Sequence, residues 1–369
     1  ERFAGCPFSF FAEYGLKAEE RRLYQLNTPD LGSLFHEVLE LFSNKLEQDS
    51  LSWTSLTKEE TTARIHAAVE DAAPRLGNRI LLDSAANQYL IRRLKRISTR
   101  AAWTLVQHLQ QGDFVPAGYE VGFGAHEALP PIVIRLQDGG SLILNGKIDR
   151  VDLLDANGTR YVKIIDYKSG NKTFHFQDIY YGLQLQLLVY LDAYLKYYKK
   201  TGASFKPGGV FYFRITDPTL ALDEELSAEA IEKILYEKMR MSGLLLQEDI
   251  LIHGLDHSLA KSRSSAIVPV GYTKKGDPTA ASNLATEEQY AAILDFVATR
   301  TQEIGDAMKA GIITPAPYRD GQRTPCSYCS YRSLCRHSYG EAPRWRKLKK
   351  IDKADFWESI TPKQPPETE

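Results

Sequence analysis

Two acidic side chains and one amine frame the chemistry this chain can do. Asp149 lies in Asn145-Gly-Lys-Ile-Asp149-Arg, and Asp166 and Lys168 lie in Ile165-Asp166-Tyr167-Lys168. Between them stands Asn157-Gly158, flanked by β-rich runs, a strong short-range hairpin signal that folds one aspartate back beside the other. The strand period of two puts Ile164, Asp166 and Lys168 on one face, and Ile165 and Tyr167 on the other. The same alternation sends Asp152 away from Asp149, so it is not chosen as a ligand. Two carboxylates meeting at one point repel unless a cation sits between them, and oxygen ligands suit Mg2+ or Mn2+. A buried Asp-Lys ion pair is the alternative that these residues alone leave open.

A second constellation is made of sulfur. Cys326, Cys329 and Cys335 form a C-x2-C-x5-C cluster, and the remaining cysteine, Cys6, stands at the opposite end among Phe3, Phe8, Phe10 and Phe11. Three clustered thiols and one distant one fit a four-coordinate metal centre, with zinc chemically open. A buried free cysteine is the bland alternative for Cys6. His337 is a spare ligand that four thiols make unnecessary.

Positioning these groups requires a sheet and several helices. The run Asp30-Leu-Gly-Ser33-Leu-Phe-His36 reads as the start of an amphipathic helix capped by Ser33, with His36 in its first turn. A lone histidine on an apolar face is usually structural. Residues 55 to 112 read as a helical layer. Glu120 lies on the first strand-like run, where a solvent-facing role is as good an explanation as a functional one. Strands at Ile132–Leu136 and Ser141–Val151 follow, across the turn Asp138-Gly-Gly. Residues 177–199 read as one helix with Gln186 and Tyr190 four apart on a single face. Gly208–Ile215 reads as another strand, Ala228–Met241 as a helix, Ser242–Leu246 as the start of an irregular region, and Glu287–Ala310 as an amphipathic helix. Val270–Ser282 reads as an exposed hairpin or mobile segment, and Thr361–Glu369 as a Pro- and Glu-rich tail without fold.

A length of 369 residues suggests about two domains or one large one with insertions. The formal charge of −1 says nothing in favour of nucleic acid, and the basic runs Arg92-Arg-Leu-Lys95-Arg96 and Arg344–Lys350 each read as solvated helix faces. No apolar run reaches bilayer length and no signal peptide is visible, so no membrane partner is expected. With four cysteines, this favours a reducing, cytoplasmic setting. The chain opens on Glu1, which reads as a fragment of something longer. No G-x4-GK-[ST] pattern is present, so ATP-driven unwinding would belong to missing sequence or a partner.

Gly146-Lys-Ile-Asp149-Arg, Ile165-Asp166-Tyr-Lys168 and Gln186-Leu-Leu-Val-Tyr190 together resemble the PD-(D/E)xK nuclease core of the RecB type. With the terminal cysteines and the long C-terminal half, nearly the whole chain resembles the C-terminal nuclease region of the AddB family. The resemblance implies an α/β fold, a restriction-endonuclease-like core with a mixed central sheet flanked by helices, helical insertions and an iron-sulfur staple joining the termini. It implies an N-terminal segment over 1–29, a nuclease core over 30–220 with a helical insertion at about 55–112, a helical and loop region over 221–340, and a flexible tail over 341–369.

It also implies roles. Asp149, Asp166, Lys168, Gln186 and Tyr190 would be catalytic. His36, from a Gly-x3-His element starting at Gly32, would bind Mg2+ or Mn2+ with Asp149, Asp166 and the backbone carbonyl of Tyr167. Glu120 resembles a family acidic position that supports a second metal or orients a water. Cys6, Cys326, Cys329 and Cys335 would hold a [4Fe-4S] cluster. The expected activity is DNA phosphodiester hydrolysis during end resection in double-strand break repair, with an AddA-like subunit, the missing N-terminal part of the same chain and DNA as partners. Two competing readings are a non-catalytic iron-sulfur DNA-binding module and a stand-alone CRISPR-associated exonuclease.

Overall fold

A computed structural model describes residues 1–19, 28–75, 85–220, 225–337 and 345–361. The tail expected to lack fold lies outside these residues from 362 onward. Two one-turn helices, α1 (Arg2–Gly5) and α2 (Pro7–Phe10), open the chain. Three longer helices follow, α3 (Thr28–Gln48), α4 (Lys58–Ala72) and α5 (Ala85–Gln110), which pack together as one layer. The apolar stripe of α3, from Leu34 through Val38 and Phe42 to Leu46, is buried in that layer. A capping box starts α4, with the side chains of Thr57 and Glu60 each taking the other's backbone N–H.

The sheet begins with β1 (Val115–Phe123), continues through a separate hairpin of β2 (Ile132–Arg135) and β3 (Ser141–Leu144), and reaches β4 (Gly146–Ala156) and β5 (Thr159–Lys168). Asn157 and Gly158 between β4 and β5 both have positive φ, 50° and 76°, as a tight two-residue hairpin turn requires. These two strands pair antiparallel from Ala156 opposite Thr159 to Arg150 opposite Ile165. From β5 the chain crosses over through α6 (Phe176–Tyr180) and α7 (Gln186–Lys200) and returns as β6 (Phe205–Arg214), parallel to β5. The single helix expected over 177–199 is therefore two helices. Gly182, at φ 74°, turns the chain between them, and Leu183 N–H returns to the Asp178 carbonyl at 2.7 Å.

Beyond β6 come α8 (Ala228–Lys238), β7 (Ser242–Leu246), α9 (Asp249–Leu255) and β8 (Leu284–Ala285). Ser242–Leu246 is not irregular: it is a strand of the central sheet, whose order is β1-β4-β5-β6-β7-β8. Its leucines are fully buried, so the strand carries no alternation for a period-two reading to find. A Cβ on Gly243 would collide with the Val210 carbonyl oxygen, which explains the glycine where β7 meets β6. The region after residue 220 thus supplies two strands to the sheet as well as helices and loops.

The chain closes with α10 (Glu287–Lys309), β9 (Tyr318–Arg319), α11 (Arg332–Cys335), β10 (Arg346–Lys347) and α12 (Lys353–Ile360). This segment is tied back to α6. Phe356 and Trp357 of α12 lie 5.1 and 5.4 Å from the Phe176 ring, and Arg323 forks onto both oxygens of Asp178 at 2.8 and 2.6 Å. The N-terminus is tied to the same end: Arg346 donates to the Ala4 and Gly5 carbonyls, and Tyr331 OH to the Ala18 carbonyl at 3.0 Å. Among the described residues, no helix is long and apolar enough to cross a membrane.

Candidate active site and thiol pocket

The hairpin register carries the site. One step beyond the Arg150–Ile165 pair stand Asp149 and Asp166, both buried. Asp149 Oδ2 accepts the Tyr167 N–H at 2.5 Å, so the backbone of one strand fixes the carboxylate of the other. Asp166 Oδ2 forms an ion pair with Lys168 Nζ and has no other partner among the described residues. The Tyr167 ring packs 6.2 Å from that of Phe213 and meets the His36 ring edge-on at 6.0 Å, so it supports the histidine while its backbone holds Asp149. The Tyr167 N–H on Asp149 ties the two strands together at this point.

His36 reaches the site from α3. Its Nδ1 lies 3.4 Å from Asp149 Oδ2 and 3.8 Å from Glu120 Oε1. The helix begins at Thr28, ahead of Ser33, so His36 sits inside it rather than in its first turn. Gly32, one turn earlier, lets α3 come this close: a Cβ there would stand 3.1 Å from Ser169 Oγ, just past the end of β5. Glu120 is the residue that strand pattern alone left undecided. Tyr119 and Val121 pair with Arg150 and Ile148 on β4, which puts Glu120 level with Asp149. Its φ is +46°, a left-handed conformation that costs a residue with a side chain about 1–2 kcal/mol. Strain of this kind collects at functional sites. The ligand atoms of His36, Glu120 and Asp149 all lie within 4.8 Å of one another, so Glu120 joins the converging set while Asp166 stands beside it with Lys168.

The electrostatics match this crowding. Burial opposes a charge on His36, but hydrogen bonds to Asp149 and Glu120 and their negative charges outweigh it and raise its pKa to about 10. Asp166 is pushed up to about 6, first by burial and then by the Asp149 charge, with Lys168 pulling the other way. Burial likewise raises Glu40, one helical turn after His36, helped by the Glu120 charge. The site opens onto a groove lined by Gly32, His36, Glu37, Glu40, Arg75 and Glu120.

Gln186 and Tyr190 complete the site from α7. Gln186 is the first residue of that helix, and its Nε2 donates to Tyr190 OH at 3.4 Å. Tyr190 stacks on Phe123, ring centroids 5.6 Å apart, and its hydroxyl lies over Gly146, where a Cβ would collide with it. The Asp166 and Asp149 charges are near enough to help burial raise the Tyr190 hydroxyl. A carboxylate from Glu1 accepts the Leu185 and Gln186 N–H groups at 2.8 and 3.0 Å, capping the start of α7. The structure thus brings His36, Asp149, Asp166, Lys168, Gln186 and Tyr190 to one end of the sheet.

The residues fit a hard divalent cation: two carboxylates and an imidazole face one another, and a third carboxylate, the buried Asp166, stands beside them with Lys168 as its one ion-pair partner among the described residues. The thiols meet elsewhere. Cys6, Cys326, Cys329 and Cys335, all unpaired, line one cavity walled by Phe8, Pro315, Pro317 and Pro325. Burial raises the Cys326 thiol, and the other three sulfurs add to that shift. Four free thiols in one small, proline-walled cavity fit a thiolate-ligated group. His337 lines the same cavity.

A mixed sheet with antiparallel β4–β5, a parallel crossover to β6, and an Asp/Asp-x-Lys end defines a class. The profile of the PD-(D/E)XK nuclease superfamily matches residues 1–336, and the chain belongs to that superfamily. It is 42% identical over 98% of its length to the B subunit of the ATP-dependent helicase/deoxyribonuclease of Alkaliphilus oremlandii, and 44% over 91% to that of Alkaliphilus metalliredigens. A Thermoanaerobacter protein of the same name is 36% identical over 98% of the chain. The chain spans 31%, 29% and 31% of these three relatives.

Proposed function

We propose that this chain is the nuclease-bearing part of the B subunit of a helicase-nuclease, and that it hydrolyses DNA phosphodiester bonds with Mg2+ or Mn2+ during end resection in double-strand break repair. The observation that carries this is the convergence of His36, Glu120 and Asp149 beside the Asp166–Lys168 pair. The names of its relatives support an AddA-like partner, and the share of those relatives that it spans leaves room for further chain of its own. A cytoplasmic setting goes with that assembly.

His36, Glu120 and Asp149 would hold the ion, with Asp166 completing the set. Bound there, a divalent cation supplies a Lewis acid that polarises a phosphoryl group and lowers the pKa of an attacking water. The Tyr167 N–H keeps Asp149 in one orientation. Lys168, held on Asp166, offers fixed positive charge to the negative charge that develops on the phosphate oxygens. Gln186 and Tyr190, linked to each other, position the phosphate or the nucleophile.

Cys6, Cys326, Cys329 and Cys335 would hold a [4Fe-4S] cluster whose role is structural, tying residues near the two ends of the fold. Protein purified without oxygen is expected to show the broad visible absorption of a thiolate-ligated cluster, and a colourless, zinc-containing product would replace that assignment. For the reaction, plasmid and single-stranded DNA are incubated with magnesium, with and without EDTA, on wild type and Asp166→Ala. Hydrolysis by wild type alone, abolished by EDTA, supports the reading. Equal digestion by both proteins refutes it, and DNA binding without digestion by wild type points to a non-catalytic module.

A further inference from the structure

We infer that the groove between α4, α5 and α8 holds a segment of single-stranded DNA, with phosphates on its cationic walls and a base against Trp103. The nature of the ligand rests on the nuclease reading above, and the groove adds to it a strand path outside the catalytic cluster.

The cavity, of about 620 Å3, is in the size range of small-ligand pockets. Its walls carry Lys58, Arg92, Lys95, Arg96, Arg100 and Lys233, against one lining carboxylate, Glu232. Its apolar floor is Trp103, Leu235, Tyr236 and Met239. Local acids answer part of the charge: Lys58 pairs with Glu232, Lys95 with Glu70 at 2.6 Å, and Asp217 takes Arg96 at 2.5 Å and Arg100 at 3.7 Å. Arg92 and Lys233 have no acidic partner among the described residues, so the groove keeps a positive excess. The chain as a whole has a formal charge of −1, which makes that excess local.

The chemistry of the lining selects the ligand. Cations that follow a backbone, beside an aromatic ring on which a base can stack, are how proteins hold single strands without reading sequence. In a duplex the bases face inward, away from a side wall such as Trp103. One end of the groove lies near the strand that carries Lys168. Ile215 N–H donates to the Lys168 carbonyl at 2.9 Å, and Asp217, two residues on, anchors Arg96 and Arg100. The basic run Arg92–Arg96, which looks in sequence like a solvated helix face, thereby becomes one wall of the groove.

The test uses the intact chain in EDTA with a fluorescently labelled oligothymidylate, comparing wild type with Arg92→Ala/Lys233→Ala and with Trp103→Ala. Losing two phosphate contacts should lower the slope of log affinity against log salt by about 1.4, at about 0.7 per contact on a single strand. Losing the stacking ring should weaken binding about tenfold or more. Hydrolysis of bis(p-nitrophenyl) phosphate with magnesium should stay at the wild-type rate in the double variant, because no catalytic group has changed. Wild-type affinity and salt slope in the double variant would overturn the inference, as would failure of the wild type to bind the oligomer. Absence of phosphodiesterase activity in wild type would instead strike the nuclease reading, while the salt slope would still decide whether the groove holds a strand.

Discussion

The two faces of the β4–β5 hairpin carry charge in opposite ways. On one, Asp152 sits fully buried between Arg150, bonded at 2.6 and 3.1 Å, and Lys163 at 2.9 Å. Arg150 also lies over the Trp53 ring at 4.7 Å, and Lys163 over Phe114 at 4.6 Å. Two cations close on one carboxylate, and aromatic rings seal them in. On the other face, Asp149, Asp166 and Glu120 gather with one lysine and one histidine, and the cluster opens to a groove. The first set has more cation than carboxylate, with Arg150 Nη1 left without a hydrogen-bond partner among the described residues, so it offers nothing to a metal ion. The second is short of positive charge, and that shortage is what a divalent cation would fill.

Substitutions should separate the faces. On the open face, Asp166→Ala or Lys168→Ala is expected to lower DNA hydrolysis by about 10³-fold or more. The melting temperature of Asp166→Ala in metal-free buffer should not fall, because burial and Asp149 already disfavour that carboxylate. A large drop in melting temperature would place Asp166 among the structural charges.

On the closed face, Asp152→Ala leaves two buried cations without a partner, and denaturant unfolding should show a loss of about 3–5 kcal/mol. A loss below about 1 kcal/mol, the range of exposed pairs, would show that this face is wetter than it looks.

A smaller effect comes from His108, buried beneath the closed face. Burial, with the Lys163 and Arg150 charges, lowers its pKa to about 3. The unfolded chain takes this proton near pH 6.5 and the folded chain refuses it, so the contribution is full above about 6.5. It is then lost as pH falls toward 3, by up to about 1.4 kcal/mol per pH unit. His108→Gln should remove that part of the acid sensitivity between pH 7 and 5; an unchanged pH profile would contradict the assignment.

Much of the catalytic end was legible because it depends on local rules. Asn157-Gly158 sets the turn, the turn sets the register, and a period of two separates Asp149 and Asp166 from Asp152. The superfamily was legible from short motifs for the same reason. What was not legible depends on tertiary context. Ser242–Leu246 is buried on both faces and shows no alternation. The break between α6 and α7 follows from Gly182 at positive φ inside an otherwise helix-friendly run. Glu120 could be placed on a strand, but its approach to His36 requires α3 to lie against the end of β5, which only the fold shows. The Arg92–Arg96 run looked solvated because the facing α8 lies far along the chain.

The claim that a divalent ion belongs between His36, Glu120 and Asp149 is tested most directly by titrating Mn2+ into the metal-free chain and counting bound ion by electron paramagnetic resonance. Wild type is expected to bind, and Asp149→Asn and Glu120→Gln each to weaken that binding substantially, while Asp152→Asn, where it folds, binds as wild type does. Equal Mn2+ affinity in wild type, Asp149→Asn and Glu120→Gln would contradict the account.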